Sequence, residues 1–137
     1  MTTQTDPSIS EWQSTGHQIG MVEFAPTDAA AVRFPYYALP EDARFLGTME
    51  ADALCVLADG SLCVYDTTSK NRINCGAASN QGSFVAALKA LEQHFDKCVA
   101  DNPYCNDLDA AAKVRDRCTA LAGGDTYGPF FTSLIGV

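Results

Sequence analysis

The clearest change in hydrophobic patterning falls between residues 53 and 66. There the apolar runs Leu54-Cys-Val-Leu-Ala58 and Leu62-Cys-Val-Tyr65 flank Asp59-Gly60. An Asp-Gly pair between two apolar runs is the signal of a two-residue hairpin turn, because a type I′ turn needs positive φ at both central positions. That turn pairs Leu57 with Leu62, Val56 with Cys63 and Cys55 with Val64. Alternation then puts Cys55, Leu57, Leu62 and Val64 on one face and Leu54, Val56, Cys63 and Tyr65 on the other. Cys55 and Cys63 point apart in this register and have no route to a mutual disulfide. Both faces are apolar, whereas a half-solvated hairpin alternates with polar residues. The hairpin is therefore expected to be covered twice, once by the following helix and once by another element of the fold or a partner protein.

That helix is predicted over residues 84–97, with Ser83 as N-cap and the stripe Phe84, Leu88, Leu91, Phe95, Cys98. A second helix begins at Asp107 or Asp109 and runs to about Ala122, where Gly123-Gly124 ends it. Its stripe is Ala111, Val114, Cys118, Leu121. Upstream, residues 1–10 are polar and aperiodic and read as a flexible terminus. Ile19–Phe24 reads as a strand and Asp28–Ala31 as a short helical turn capped by Thr27 or Asp28. Prolines at both ends exclude a regular helix from Pro35–Pro40, which leaves a loop or an edge. Arg44–Met49 is extended, Thr67–Arg72 a polar turn and Ile73–Cys75 a further short strand. The apolar tail Tyr127–Ile135 must dock on the core. The sum is one α+β domain over residues 11–137, with a small antiparallel sheet packed against C-terminal helices.

Composition fits this picture. The 137 residues are 47% hydrophobic and 19% charged, enough to bury a core without covalent staples. A net charge of −8 argues against nucleic acid or an anionic membrane surface as partner and favours a basic protein. No apolar run approaches the roughly 20 residues of a membrane span, and the first residues lack a signal-peptide pattern, so a cytoplasmic location is expected. In that compartment the six cysteines read as thiols. Cys98 and Cys118 fall on helix stripes as small hydrophobes, with a mutual contact open if the helices pack together. Cys105 is the exposed one. No C-x-x-C occurs, so a structural zinc site is not expected.

Candidate chemistry is sparse. His94 precedes core residue Phe95 and reads as a surface or boundary residue, while His17 lies in a loop without a motif. A Cys–His nucleophile would need a thiol beside one of them. Glu41-Asp42 and Asp107/Asp109 read as helix-start charges, not a catalytic carboxylate pair. Gly76–Gly82 lacks both the Lys-Ser/Thr of a P-loop and the spacing of a dinucleotide site. The expectation is a protein that is not an enzyme and needs no cofactor or metal.

The Asp59-Gly60 hairpin followed by Ile73-Asn-Cys-Gly-Ala-Ala-Ser-Asn-Gln-Gly-Ser-Phe-Val-Ala-Ala-Leu resembles the SUKH superfamily of bacterial toxin-immunity proteins. Phe45-Leu-Gly47, Asn80, Phe84, Leu88 and Leu91 stand where that pattern places such residues, and Phe130-Phe131…Leu134-Ile135 is similar to a terminal helix of one subfamily. The resemblance covers roughly residues 44–95 and the C-terminal third. The N-terminal third departs, with only Ala38-Leu-Pro40 near the family's Gly-Leu-Pro entry. The resemblance implies stoichiometric neutralisation of a cognate toxin, a nuclease or a deaminase, and the acidic balance suits a basic one. Tyr36, Tyr37, Glu41 and Asp42 are the candidate partner-binding residues, as two aromatics beside two acids make a hot spot with an electrostatic rim. The alternative for the tyrosines is packing on the core. Two rival functions are a small acidic secretion chaperone, which would be a homodimer, and a thiol-dependent enzyme with one low-pKa cysteine.

Overall fold

The computed structural model describes residues 4–68 and 72–137. Its centre is a six-stranded antiparallel sheet whose spatial order follows chain order. The strands are β1 (Gln18–Ile19), β2 (Val22–Phe24), β3 (Arg44–Met49), β4 (Asp52–Val56), β5 (Leu62–Asp66) and β6 (Arg72–Ala78). The helices are α1 (Pro7–Thr15), α2 (Ala30–Arg33), α3 (Gln81–Ala100), α4 (Asn102–Cys105), α5 (Leu108–Ala122) and α6 (Gly128–Ile135). The α+β architecture with C-terminal helices on the sheet is as the patterning predicts.

Local chemistry explains the helix ends. The Asn80 side chain accepts from the Ser83 amide, so the N-cap of α3 lies three residues before the predicted Ser83. The Asp107 carboxylate accepts from the amides of Asp109 and Ala110, which starts α5 at Leu108. Residues 4–10, read as part of a flexible terminus, are held. Asp6 caps α1, Pro7 occupies its first turn, and Ile9 is fully buried. The buried Gln81 side chain accepts from the Asp6 amide at 2.6 Å and donates to the Gln4 carbonyl at 2.9 Å. The predicted 67–72 turn reaches into residues 69–71, which lie outside the described residues; Arg72 already belongs to β6.

The hairpin departs from expectation in a way that changes its faces. The connection has three residues, Ala58-Asp59-Gly60, closed by the Leu57 amide donating to Ser61 O at 2.8 Å and the Gly60 amide donating to Leu57 O at 2.9 Å. Gly60 alone takes positive φ, at 90°, while Asp59 accepts from the Ser61 amide and hydroxyl and does not enter the left-handed region. This is a type I turn followed by a bulge, not a type I′ turn. The pairing therefore shifts by one residue, to Val56 with Leu62, Cys55 with Cys63, Leu54 with Val64 and Ala53 with Tyr65. Since side chains alternate with period two, the slip regroups the faces. Leu54, Val56, Leu62 and Val64 lie in the main core; Ala53, Cys55, Cys63 and Tyr65 lie behind it. Cys55 and Cys63 share a face, contrary to the two-residue reading.

Both faces are covered within the chain. On one side α3, α5 and α6 contribute Phe84, Leu88, Leu91, Cys118, Ala122, Phe130 and Phe131, all fully buried. A run of ring contacts joins them to the N-terminal third: Trp12–Phe24 at 5.1 Å, Phe24–Phe84 at 6.4 Å, Phe84–Phe130 at 5.9 Å. On the other side the connection between β2 and β3, residues 25–43, folds back over the sheet. Ala25, Ala29, Ala30, Phe34, Leu39 and Ala43 pack against Phe45, Cys55, Cys63 and Tyr65. The second cover is an element of this fold.

Candidate partner-binding surface

The 25–43 connection is built from successive tight turns. The Ala29 amide donates to Pro26 O, Phe34 to Ala30 O, Tyr37 to Phe34 O and Ala43 to Pro40 O, at 2.8–3.1 Å. Pro26, Pro35 and Pro40 restrict the backbone between these turns. Its two ends are pinned together. The Ala25 amide donates to Leu46 O at 3.1 Å, and the buried Gln13 amide group donates to Ala25 O at 2.9 Å while reaching Phe45 O at 3.4 Å. Arg33 pairs with Glu23 at 2.5 Å, tying α2 to β2. Phe34 anchors the underside edge-on to Phe45, at 6.2 Å. A segment held this way presents its outer side chains at small conformational cost.

The two predicted tyrosines divide between the two readings given for them. Tyr36 is wholly exposed, at 101% of its reference area, and nothing in the core holds it. Tyr37 is half-buried, and with Asp42 it lies near Tyr65 on the sheet beneath. Burial, then the neighbouring Cys63, Asp42, Cys55 and Tyr37, push the Tyr65 hydroxyl up to about 12, so it stays protonated. Glu41 and Asp42 are both exposed. Sequence reasoning missed Val32, 81% exposed on the same segment, and the exposed Asp28. The signal for Val32 was present: a short helical turn here leaves one of its sides without a partner.

A second cluster sits at the C-terminal end of α3. His94 is buried, not peripheral as expected, and its Nδ1 lies 2.9 Å from Tyr104 Oη. Its Nε2 lies 3.7 Å from Cys98 Sγ, so a thiol and an imidazole do approach. The i, i+4 spacing of His94 and Cys98 on one helix carried that information. The electrostatics run against a nucleophilic cysteine, however. Desolvation and the Cys105 thiol push Cys98 up to about 11, and burial holds His94 below its ordinary value. Cys118 instead packs on α3 with its thiol 3.5 Å from Ala87 O. His17 pairs with Glu92 at 2.5 Å and stacks on Trp12. No group of three or more metal-ligating side chains is assembled among the described residues, and no helix there is long and apolar enough to cross a membrane.

No protein-family model matches this chain, and comparison with characterised proteins and with solved structures gives no significant match.

Proposed function

We propose that this protein is a binding module that seats a basic protein partner on the outer side of residues 26–43, and that the partner is a cognate bacterial toxin held inactive in a stoichiometric complex. The observation that carries the reading is the full exposure of Tyr36 on a proline-braced segment. An aromatic ring that contributes nothing to the core is retained in water at a hydrophobic cost, and aromatic side chains dominate interface energetics. Val32 adds apolar area, Asp28, Glu41 and Asp42 add negative charge, and the whole chain carries −8. Such a surface draws a cationic partner by long-range attraction and discriminates against acidic ones. The resemblance of residues 44–95 to the SUKH superfamily supplies the toxin.

The chaperone reading keeps the small size and acidic charge but not an open apolar hairpin, since that hairpin is covered by residues 25–43 of the same chain; a homodimer would favour it. The experiment is co-expression with each basic effector protein encoded in the same genome, scoring growth rescue and complex stoichiometry. Rescue by the wild type, and its loss with Tyr36→Ala, supports the assignment. Rescue that survives Tyr36→Ala together with Glu41→Gln and Asp42→Asn overturns the surface. Failure to rescue against every such effector overturns the function.

A further inference from the structure

The β4–β5 turn carries the one Asp-Gly bond of the chain, and no Asn-Gly occurs. Glycine after aspartate leaves the backbone nitrogen open to the side-chain carboxyl, because no Cβ stands beside it. The reaction available to such a bond is ring closure. The Gly60 nitrogen gives up its proton and attacks Asp59 Cγ, an N–Cγ bond forms, and a carboxyl oxygen leaves as water. The product is a five-membered succinimide. Water then opens the ring on either side. Addition at Cγ restores aspartate, and addition at the former main-chain carbonyl leaves an isoaspartyl link that runs through the side chain. One water leaves and one enters, so no other reactant is needed.

The folded turn holds both reacting groups back from this step. Asp59 Oδ1 accepts from the Ser61 amide at 3.0 Å and from the Ser61 hydroxyl at 2.6 Å. Bonds to a carboxylate favour its ionised form, whose oxygen is a poor leaving group. The Gly60 amide donates to Leu57 O at 2.9 Å, which keeps its proton inside the turn. Nothing else packs there: Asp59 is exposed, and a Cβ added at Gly60 meets no atom within 4 Å. Protection therefore rests on these three bonds, and Ser61 makes two of them. We propose that Asp59-Gly60 is the site where this chain isomerises to isoaspartate as it ages, and that the Ser61 side chain is the guard that slows it in the folded state. The isoaspartyl link adds one atom to the backbone of the turn that sets the β4–β5 pairing, between strands buried on both faces.

The test stores the full chain in mildly acidic buffer, natively and in urea, and follows isoaspartate by isoaspartyl methyltransferase labelling. Electron-transfer fragmentation of the peptides assigns its position, and thermal melts keep storage inside the folded range of each variant. Native wild type is expected to form isoaspartate at Asp59 alone, and far more slowly than in urea. Ser61→Ala is expected to form it severalfold faster in the native state, the order of one lost net hydrogen bond, and at the wild-type rate in urea. Ser61→Thr keeps the hydroxyl and should stay near the native wild-type rate, which a general loosening of the turn would not allow. Equal native rates in wild type and Ser61→Ala, or equal wild-type rates with and without urea, would overturn the guard. Isoaspartate elsewhere in the native chain, or none at Asp59 in urea, would overturn the site.

Discussion

Cys55 and Cys63 stand directly opposite one another on β4 and β5, on the same side of the sheet, beneath residues 25–43. Both are free thiols. Burial pushes each up to about 12, with Cys63 raising Cys55 further and Cys75, Asp42 and Asp59 raising Cys63. At pH 8 the thiolate fraction of such a group is about one in ten thousand. Alkylation by iodoacetamide in the native protein is therefore expected at Cys105 within minutes, and at Cys55 and Cys63 only at the rate of unfolding. Peptide mapping of a time course checks this, and fast native labelling of either residue would show that residues 25–43 open without global unfolding.

Gly47 sits where the register between β3 and β4 slips, opposite Phe24 of β2. A Cβ there would lie 2.2 Å from Glu23 O and 2.9 Å from Phe24 Cα, both backbone atoms that cannot rotate away. Gly47→Ala should cost about 2 kcal/mol or more, as overpacked core sites do. Gly60→Ala meets no atom within 4 Å and pays only for positive φ, about 1 kcal/mol. Urea midpoints of the two variants should rank in that order; equal midpoints would remove the steric account of Gly47.

Tyr36→Ala separates stability from binding. The ring buries nothing within the chain, so its unfolding free energy should change by less than about 0.5 kcal/mol. Affinity for the proposed basic partner should fall by about 2 kcal/mol, the scale of an interface hot spot. Phe34→Ala should do the reverse in part, since Phe34 packs edge-on to Phe45 beneath the same segment. Calorimetric titration alongside thermal melts distinguishes them, and a Tyr36→Ala variant that melts early would place the ring in the fold.

His94 makes stability depend on pH. Burial first and Lys97 second hold its pKa below 6.5 in the folded chain. Unfolded chains then take up the proton more readily, so the contribution of neutral His94 is complete above pH 6.5. It is lost as the pH falls from there toward the folded pKa. The carboxylates of Asp59 and Asp66, lowered by bonds from Ser61 and Thr68, act in the same direction but only below about pH 4. Between about pH 7.5 and 5 the urea midpoint of the wild type should decline and that of His94→Gln should stay flat. A parallel decline in both would assign the effect to another group.

What could be read from the chain alone follows from how local each determinant is. The caps, the periodic stripes and the Gly123-Gly124 stop are set by neighbouring residues, and α3, α5 and β3 to β6 fall within a few positions of their predicted places. The single strand expected over Ile19–Phe24 is instead two short antiparallel strands, β1 and β2, that turn at Gly20-Met21. The hairpin register was missed because Asp-Gly serves two turn types. Which one forms depends on whether Asp59 takes positive φ or, as here, spends its carboxylate on Ser61. The cover over Cys55 and Cys63 was beyond reach for another reason. Residues 25–43 carry no periodicity, and only the sheet beneath gives them their place. The candidate surface was half legible: an aromatic and acidic stretch is visible in sequence, but which tyrosine faces out is a property of the tertiary packing.

The strand order gives the 25–43 connection an unusual freedom. β2 and β3 are neighbours in the sheet, so the chain between them makes no topological crossing and can change length or composition without rewiring any strand. Gln13 clasps both of its ends from α1, outside the exchanged stretch. Its inward residues, Phe34, Leu39 and Ala43, answer to the sheet; its outward ones, Val32, Tyr36 and Glu41, are exposed. Selection can therefore rewrite the outer set at little cost to the rest.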